Sequence, residues 1–368
     1  MPPSIYQLAT AGVQTLVPYQ AGKPISDLER ELGLSYIIKL ASNENPLGPS
    51  DKVKHAIQAS FADLSRYPDS NGFALKTALA EKYNLHSTQI TLGNGSNEIL
   101  ELLARAFLTT EHEVIFSQHA FAVYPLVTQA VGAKARVVAA IDYGHDLKGM
   151  LAAISDKTRL IFIANPNNPT GTYLTKQALS DFLAVVPEHV ICVLDEAYFE
   201  YVAKDDYPDS ISWLAEYPNL VITRTFSKAY GLAGLRIGYS LSSPEMADIL
   251  NRVRQPFNNN ALALAAAEVA IQDSDYLTAT ITLNNTGMQL LTNAFSAMGL
   301  PWIESVGNFV SVDLLREANS INTALLHKGV IVRPIANYEM PNHLRISIGT
   351  ETENVFFISA LKAVLADV

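Results

Sequence analysis

The stretch Thr225–Arg236, with the sequence TFSKAYGLAGLR, carries the strongest indication of fold and chemistry in this chain. A β-branched apolar run precedes it and predicts a strand that ends in hydroxyl groups, a lysine and a glycine-rich turn. Lysine attacks aldehydes through its deprotonated amine, so Lys228 is a candidate nucleophile. The hydroxyls of Thr225 and Ser227 and the guanidinium of Arg236 are groups that bind phosphate.

Outward from this stretch, short apolar runs alternate with helical patterns. The predicted strands are Gln89–Leu92, Glu113–Phe116, Ala135–Ala139, Arg159–Ile163, Val190–Leu194, Leu220–Thr225 and Ile237–Leu241. The predicted helices between them include Glu98–Phe107, Val123–Val131 and Lys176–Val185. Strands that are apolar on both faces and separated by helices indicate an α/β fold with a mostly parallel seven-stranded sheet. Ligands of such sheets bind in the loops beyond the carboxyl ends of the strands.

After Pro256 the pattern changes to that of a smaller α+β unit. A long helical region runs from Ala261 into the stretch 278–298, short strands follow, and a terminal helix covers Glu353–Ala366. The predicted strands of this unit lie near Asn308–Val312, Val330–Val332 and His343–Ser347. We therefore expect a large domain of residues 46–260 and a small domain of residues 1–45 and 261–368.

The amino-acid composition and charge argue against several classes of function. The 368 residues carry a formal net charge of −10 without a dense basic run, which argues against a nucleic-acid partner. The single cysteine, Cys192, lies in an apolar run and is expected to be a buried strand residue. No signal-peptide pattern, membrane-length apolar stretch or metal-binding histidine spacing is present, so we expect a cytoplasmic protein without membrane or metal.

Two further segments follow predicted strands. In Asp195-Glu196-Ala197-Tyr198, the Asp195 carboxylate can pair with a protonated ring nitrogen, although an Asp after a strand is also a common helix N-cap. In NPNNPTG, residues 165–171, two prolines and a glycine fix a tight turn that can present the Asn168 amide to a ring oxygen. A plain structural turn is the alternative for the second segment.

A fourth segment, GNGSNE at residues 93–98, turns from a predicted strand into a predicted helix. Exposed backbone N–H groups at the positive end of a helix suit a phosphate. The third glycine of a dinucleotide fingerprint is absent, and so is the lysine of a P-loop.

These four segments, in their order along the chain, resemble those of the fold-type I aminotransferases that depend on pyridoxal 5′-phosphate (PLP). The resemblance implies that Lys228 holds PLP as a Schiff base and that Asp195 pairs with its pyridinium nitrogen. Tyr198 and Asn168 match the pair at the phenolate oxygen. The residues that match phosphate ligands are Gly95, Ser96, Thr225, Ser227 and Arg236. Phe121 falls where the family stacks an aromatic ring on the cofactor, but His119-Ala120-Phe121 replaces the frequent Pro-Thr-Tyr, so a hydroxyl role is lost there.

Within that family the chain is most similar to the histidinol-phosphate aminotransferases, from Tyr19 to the last helix. The matching strings are LVPYQ at 16–20, LASNENPLG at 40–48, RYPD at 66–69, GVIVRP at 329–334 and LRISIGT at 344–350. By this resemblance Tyr67 reaches the cofactor phosphate of a partner subunit, which implies a homodimer. Arg345 would bind the carboxylate of glutamate and Arg333 the phosphate of the other substrate. Tyr19, Asn43 and Asn168 are the further expected substrate-binding residues.

The resemblance implies ping-pong transamination between histidinol phosphate and 2-oxoglutarate, which gives imidazole acetol phosphate and glutamate in histidine biosynthesis. Lys228, Asp195 and Tyr198 are the expected catalytic residues. Three alternatives stay open on the sequence. An aromatic amino-acid aminotransferase and a PLP decarboxylase of a phosphorylated amino acid would share the cofactor residues. A non-enzymatic PLP-binding regulator would need a DNA-binding module, and no basic segment for one is present.

Overall fold

The computed structural model of the chain describes residues 4–20 and 22–367. The helices are α1 (Ile5–Leu8), α2 (Ala11–Gln14), α3 (Ile25–Leu32), α4 (Asp51–Ser60), α5 (Phe73–Tyr83), α6 (Ser96–Phe107), α7 (Val123–Ala130), α8 (Leu147–Ala152), α9 (Lys176–Leu183), α10 (Pro244–Val253), α11 (Ala261–Ala270), α12 (Ser274–Ala297), α13 (Ala318–His327) and α14 (Glu351–Ala366). The strands are β1 (Ile38–Lys39), β2 (Ile90–Gly93), β3 (Glu113–Ser117), β4 (Lys134–Val138), β5 (Thr158–Ala164), β6 (Ile191–Asp195), β7 (Leu220–Thr225), β8 (Gly238–Leu241), β9 (Trp302–Ile303), β10 (Phe309–Asp313), β11 (Val330–Ile331), β12 (Arg333–Ile335) and β13 (Met340–Ser347). None of these helices is both long enough and apolar enough to cross a membrane.

The central sheet has seven strands in the order β2-β8-β7-β6-β5-β3-β4. Strand β8 runs antiparallel to β2 and β7, while the other pairs are parallel. Each predicted strand of this sheet is present within one residue at either end. The α/β class with a mostly parallel sheet is therefore confirmed.

Both faces of the central sheet are covered by helices, because its strands carry apolar side chains on both faces. Helices α6, α7 and α10 pack on one face, where Ile99, Leu103, Tyr124, Val193 and Val221 are buried. Helices α5, α9 and α11 pack on the other face, with Leu79, Leu179, Ala267, Ile222 and Leu241 among the buried residues. This double cover leaves the strand ends as the place where polar groups gather.

A four-stranded antiparallel sheet, β12-β13-β10-β9, forms the smaller unit with α12, α13 and α14. Strand β1 pairs in parallel with β11, and Ile38 and Leu40 join the core of this unit. The α+β character agrees with the expectation from sequence. The domain bounds at residues 46 and 260 stay a prediction, and the packing of α11 on α4 and α5 favours a boundary nearer Asp273.

Two helix predictions need correction. The helical region from Ala261 onward is not continuous, since α11 ends at Ala270 and α12 begins at Ser274. Helix α6 begins at Ser96 rather than Glu98, because Gly95, with a φ of 76°, serves as its N-cap. Because α6 begins two residues earlier than predicted, the positive end of its dipole lies closer to β2 and to the polar residues at the strand ends.

A buried ion pair supports the sheet beside these strand ends. Arg224 donates to Glu196 Oε2 through Nε at 2.9 Å and Nη2 at 2.8 Å, and both side chains are buried. The guanidinium carbon lies 3.5 Å from the ring centroid of Phe199 and 5.0 Å from that of Tyr83. The charges of β7 and of the loop after β6 are thus balanced inside the protein.

Arg224→Met should lower the free energy of unfolding by about 3–5 kcal/mol, because it leaves Glu196 buried without its cation. Urea denaturation followed by circular dichroism measures this. The matched control is Arg252→Met, which breaks the exposed pair with Asp248 and should cost under about 1 kcal/mol. Equal losses in the two variants would contradict the role of the buried pair.

Candidate active site

A cavity of about 350 Å³ opens beyond the carboxyl ends of β5, β6 and β7. The position is the one expected for a ligand site in an open α/β sheet. Its lining includes Tyr19, Ser42, Asn43, Ser96, Asn97, Phe121, Asn168, Asp195, Tyr198, Thr225, Ser227, Lys228, Arg236 and Arg345. The structure thus brings together most of the residues that the sequence singled out.

Lys228 lies three residues beyond the end of β7, partly buried in this cavity. Its Nζ donates a hydrogen bond to the backbone carbonyl of Ser42 at 2.9 Å. Burial, together with the positive charge of Arg345, lowers the pKa of the amine to about 7. An amine with such a pKa is available as a nucleophile and a base near neutral pH.

Asp195 is the last residue of β6 and is buried. Its Oδ2 accepts a hydrogen bond from the Tyr124 hydroxyl at 2.9 Å, and its Oδ1 accepts one from Thr223 at 3.0 Å. Burial raises the pKa of this carboxyl, and the two hydrogen bonds oppose that shift. Among the described residues no cation pairs with it, and it caps no helix. The carboxylate therefore lines the cavity without a positive partner among the described residues.

Tyr198 and Asn168 lie on the wall between Asp195 and the small unit. The Tyr198 hydroxyl accepts from Asn43 Nδ2 at 2.9 Å, and burial raises its pKa to about 12. Asn168 Oδ1 accepts from Arg345 Nη1 at 2.5 Å, so the Asn168 amide nitrogen remains the donor. Asn43 in turn binds the Ser347 hydroxyl, which anchors the residues after β1 to β13.

Positive groups converge at the N-terminus of α6. Arg236 Nη1 donates to the Ser227 hydroxyl at 3.3 Å, and Thr225 Oγ1 accepts from the Ser227 backbone N–H at 3.1 Å. A Cβ on Gly95 would lie 2.4 Å from Arg236 Nη2, so only glycine lets the guanidinium approach this helix end. A guanidinium beside the positive end of a helix favours an anion between them.

Arg345, on β13, is buried and lacks an acidic partner within the described part of the chain. Its Nη2 donates to the carbonyl of Ala41 at 2.7 Å, while its Nε has no hydrogen-bond partner there. Burial lowers the pKa of the guanidinium. A buried cation with an unused donor suits a carboxylate or phosphate ligand.

The other predicted site residues differ in whether they line this cavity. Phe121 lines it, with its ring edge-on to Tyr124. Arg333 is outside this lining and borders a second cavity of about 520 Å³, which shares Tyr19 and Leu126 with the first. Tyr67 is exposed and stacks on Phe257 with the centroids 4.6 Å apart, outside the lining of either cavity.

Tyr124, Thr223 and Ser42 contact the central polar residues but were not predicted from the sequence. Tyr124 is next to the segment around Phe121, but its direction depends on how α7 packs. Thr223 lies two residues before Thr225 on β7, so strand alternation predicts a shared face. Its contact with Asp195 requires the register of β6 and β7, which a single sequence does not provide. Ser42 contributes its backbone carbonyl, which a side-chain motif does not indicate.

The family model for aminotransferase class I and II matches residues 35–361. Among curated relatives, histidinol-phosphate aminotransferase 1 of Idiomarina loihiensis is 59% identical over 97% of both chains. Histidinol-phosphate aminotransferase 2 of Pseudomonas fluorescens is 60% identical over 98% of both chains. The similarity extends over almost the whole chain, including the N-terminal residues around Tyr19.

A solved structure of similar form is histidinol-phosphate aminotransferase from Sinorhizobium meliloti in complex with pyridoxal-5′-phosphate. It has a TM-score of 0.91 and 31% identity, and the alignment covers 97% of each chain. A Thermus thermophilus aspartate aminotransferase, at 23% identity and a TM-score of 0.84, shares the fold. On the family model, the full-length identity and the shared fold, this chain belongs to the class I and II aminotransferases, together with the histidinol-phosphate aminotransferases.

Proposed function

We propose that this protein moves an amino group between histidinol phosphate and 2-oxoglutarate, giving imidazole acetol phosphate and glutamate in histidine biosynthesis. The names of the relatives that are about 60% identical support this reaction. One structural observation supports it most strongly. Lys228, Asp195 and Arg345 line a single cavity. Neither the Asp195 carboxylate nor the Arg345 guanidinium has an oppositely charged partner among the described residues.

Pyridoxal 5′-phosphate fits these residues. The lowered pKa of Lys228 suits covalent attachment to an aldehyde, and Asp195 suits a protonated ring nitrogen. The positive N-terminus of α6 suits the phosphate, with Ser96, Ser227 and Arg236 as donors, and the absence of a Cβ at Gly95 lets the Arg236 guanidinium lie against this helix end. Thr225 supplies a further hydroxyl, and Phe121 an aromatic face.

When bound, PLP supplies an aldehyde for amines and a ring that accepts the electron pair released at the substrate Cα. Asp195 holds negative charge at the ring nitrogen and so strengthens that acceptor. Tyr124 and Thr223 fix both oxygens of Asp195, so the carboxylate cannot turn away. Tyr198 and Asn168 present donors toward the ring oxygen.

Lys228 moves the proton in this scheme. Its amine, free once a substrate amine replaces it, takes a proton from the substrate Cα and later gives a proton back from the same Nζ. A pKa of about 7 leaves a large fraction of the amine in each form near neutral pH, so one group can act as base and acid. The Ser42 carbonyl holds this nitrogen on the cavity wall.

Two arginines account for the charges of the substrates. Arg345 binds the glutamate or 2-oxoglutarate carboxylate through its fork, whose Nε is unused. Arg333 and Tyr19 bind the phosphate of histidinol phosphate where the two cavities meet, and the guanidinium carbon lies 5.8 Å from the Tyr19 ring centroid. In the structure Arg333 Nη2 donates to the carbonyl of Gln20 at 2.6 Å, so its remaining donors serve the ligand.

We further propose a cytoplasmic homodimer in which Tyr67 reaches the partner's cofactor phosphate. The exposed aromatic pair of Tyr67 and Phe257, with Phe61, Leu64 and Phe73 also exposed, supports a protein contact at this surface.

Analytical ultracentrifugation of the purified protein should give a molecular mass twice that of one chain. Tyr67→Phe should weaken PLP binding without changing the mass. A fully active monomer would contradict the proposal.

The pH dependence of Lys228 reactivity tests its role without the cofactor. In the PLP-free protein, acylation of Lys228 should rise with pH and reach half its maximal rate near pH 7, because only the deprotonated amine reacts. Peptide mass spectrometry after short exposures measures the rate. Arg345→Gln should move the midpoint upward, since it removes a nearby positive charge.

The control for this titration is the unfolded chain in denaturant. There the Lys228 peptide should follow the ordinary lysine pKa of about 10.4. A midpoint near that value in the folded protein would contradict the mechanism.

Arg333→Ala should lower kcat/KM for histidinol phosphate by about 10- to 100-fold, the value of a charged hydrogen bond, and change that for phenylalanine far less. Purified protein is offered histidinol phosphate, phenylalanine or tyrosine with 2-oxoglutarate, and glutamate formation is followed. Arg316→Ala, at an exposed arginine, is the matched control.

The Lys228→Ala protein should lack both the visible absorbance of bound PLP and all transamination activity.

This assay also separates the alternatives. Equal losses for all three amino donors in Arg333→Ala, or a wild-type preference for phenylalanine, would favour an aromatic aminotransferase. Carbon dioxide release without glutamate formation would favour a decarboxylase. Normal turnover in Lys228→Ala would contradict PLP chemistry at this site.

A further inference from the structure

Four polar side chains lie side by side across the central sheet in a layer that is otherwise apolar. Asp195 on β6 is in register with Thr223 on β7, Thr223 with Ser240 on β8, and Ser240 with Thr91 on β2. Directly paired residues point to the same face of a sheet, so these four share the face that carries Val193 and Val221. Helix α6 covers this face.

All four side chains are buried. Thr223 Oγ1 donates to Asp195 Oδ1 at 3.0 Å. Thr91 Oγ1 and Ser240 Oγ have no hydrogen-bond partner within the described residues. Strand β8 lies between β2 and β7, so the backbone groups nearest to Ser240 are already used in ladder hydrogen bonds. A hydroxyl left unpaired in an apolar layer is destabilising, and ordered water is the usual partner of such a group.

The direction of the hydrogen bonds follows from proton counting. Thr223 has one hydroxyl proton and gives it to Asp195, so its oxygen can only accept from the Ser240 side. Ser240 can donate toward Thr223 and accept from the Thr91 side. Every donor along the row then points toward the carboxylate, and aligned hydrogen bonds of this kind strengthen one another.

We propose that Thr91, Ser240 and Thr223, joined by buried water, form a hydrogen-bonded row that holds the Asp195 carboxylate charged and oriented toward the cavity. The three hydroxyl residues are positioning residues, since Asp195 alone faces the ring nitrogen. The proposal rests on the proposed function, because it assigns the row a task in PLP binding. It extends the site beyond the cavity, to a residue on the first strand of the sheet.

The first test is a high-resolution crystal structure of the wild-type protein. It should contain an ordered water bonded to the hydroxyls of Thr91 and Ser240. Hydroxyls that instead bond only to main-chain carbonyls, with no water between them, would overturn the row.

The second test is the pH titration of the visible absorbance of the PLP-loaded protein. Thr223→Val, Ser240→Ala and Thr91→Val should each move the midpoint upward by about half a unit to one unit, because a carboxylate that loses hydrogen-bond donors is the stronger base and draws the ring proton towards itself, so the ring is less cationic and the remaining cofactor proton less acidic. For the same reason kcat should fall about 2- to 10-fold with KM nearly constant. The other groups that act on Asp195 are Tyr124 on α7, Glu196, Tyr198 and the backbone N–H of Ala197, and all the variants retain them.

Matched variants separate a hydrogen-bonding role from a packing role. Thr91→Ser keeps the hydroxyl and loses a methyl group, so its titration should equal that of the wild type although its stability falls. Ser242→Ala removes an equally buried hydroxyl two residues beyond Ser240, whose contact is with the Ser243 carbonyl, and should leave the midpoint unchanged.

The row is overturned if only Thr223→Val shifts the midpoint while the Thr91→Val and Ser240→Ala proteins behave as wild type. That outcome, in a protein that binds PLP and transaminates, leaves the proposed function intact. Failure of the wild-type protein to bind PLP would instead contradict the proposed function itself.

Discussion

Two opposite charges, the carboxylate of Asp195 and the guanidinium of Arg345, are buried in one cavity, and neither is paired with an ionised group among the described residues. Removing a charge from water costs several kcal/mol unless a partner compensates. The folded sheet and the neutral hydrogen bonds from Tyr124 and Thr223 offset part of that cost at Asp195. The remainder is available to any ligand that brings the missing counter-charges, so this constraint favours ligands that carry both a positive and a negative group.

The central sheet makes this arrangement possible. Parallel strands β5, β6 and β7 end at the same edge, so Asn168, Asp195 and Lys228 meet although they lie in separate parts of the chain. Strands β1 and β13 bring a second group of residues to the same place. Ser42 accepts a hydrogen bond from Lys228, and Arg345 donates to Asn168. The site therefore depends on contact between the large sheet and the smaller unit.

The sequence was sufficient for the strands of the large sheet and for the residues at their ends. Apolar runs bounded by polar turns identify strands reliably, and the lysine, carboxylate and asparagine motifs lie directly after them. The sequence was insufficient where register decides the contacts. The pairing of Asp195 with Thr223, and of Thr223 with Ser240, depends on how neighbouring strands align. The break between α11 and α12 was also missed, because the apolar helical pattern continues through Ile271.

Strand β8 also determines when the site can assemble. It is inserted between β2 and β7, and Ile90 pairs with Leu241 across a long intervening stretch of chain. A Cβ on Gly238, at the start of this strand, would lie 2.4 Å from the backbone nitrogen of Ser96, so the turn at the N-terminus of α6 and the inserted strand are in direct contact. During synthesis on the ribosome, the N-terminus of α6 emerges long before the strand that completes its surroundings. A chain that ends before Gly238 lacks the strand against which this turn packs, so the turn reaches its final surroundings late in synthesis.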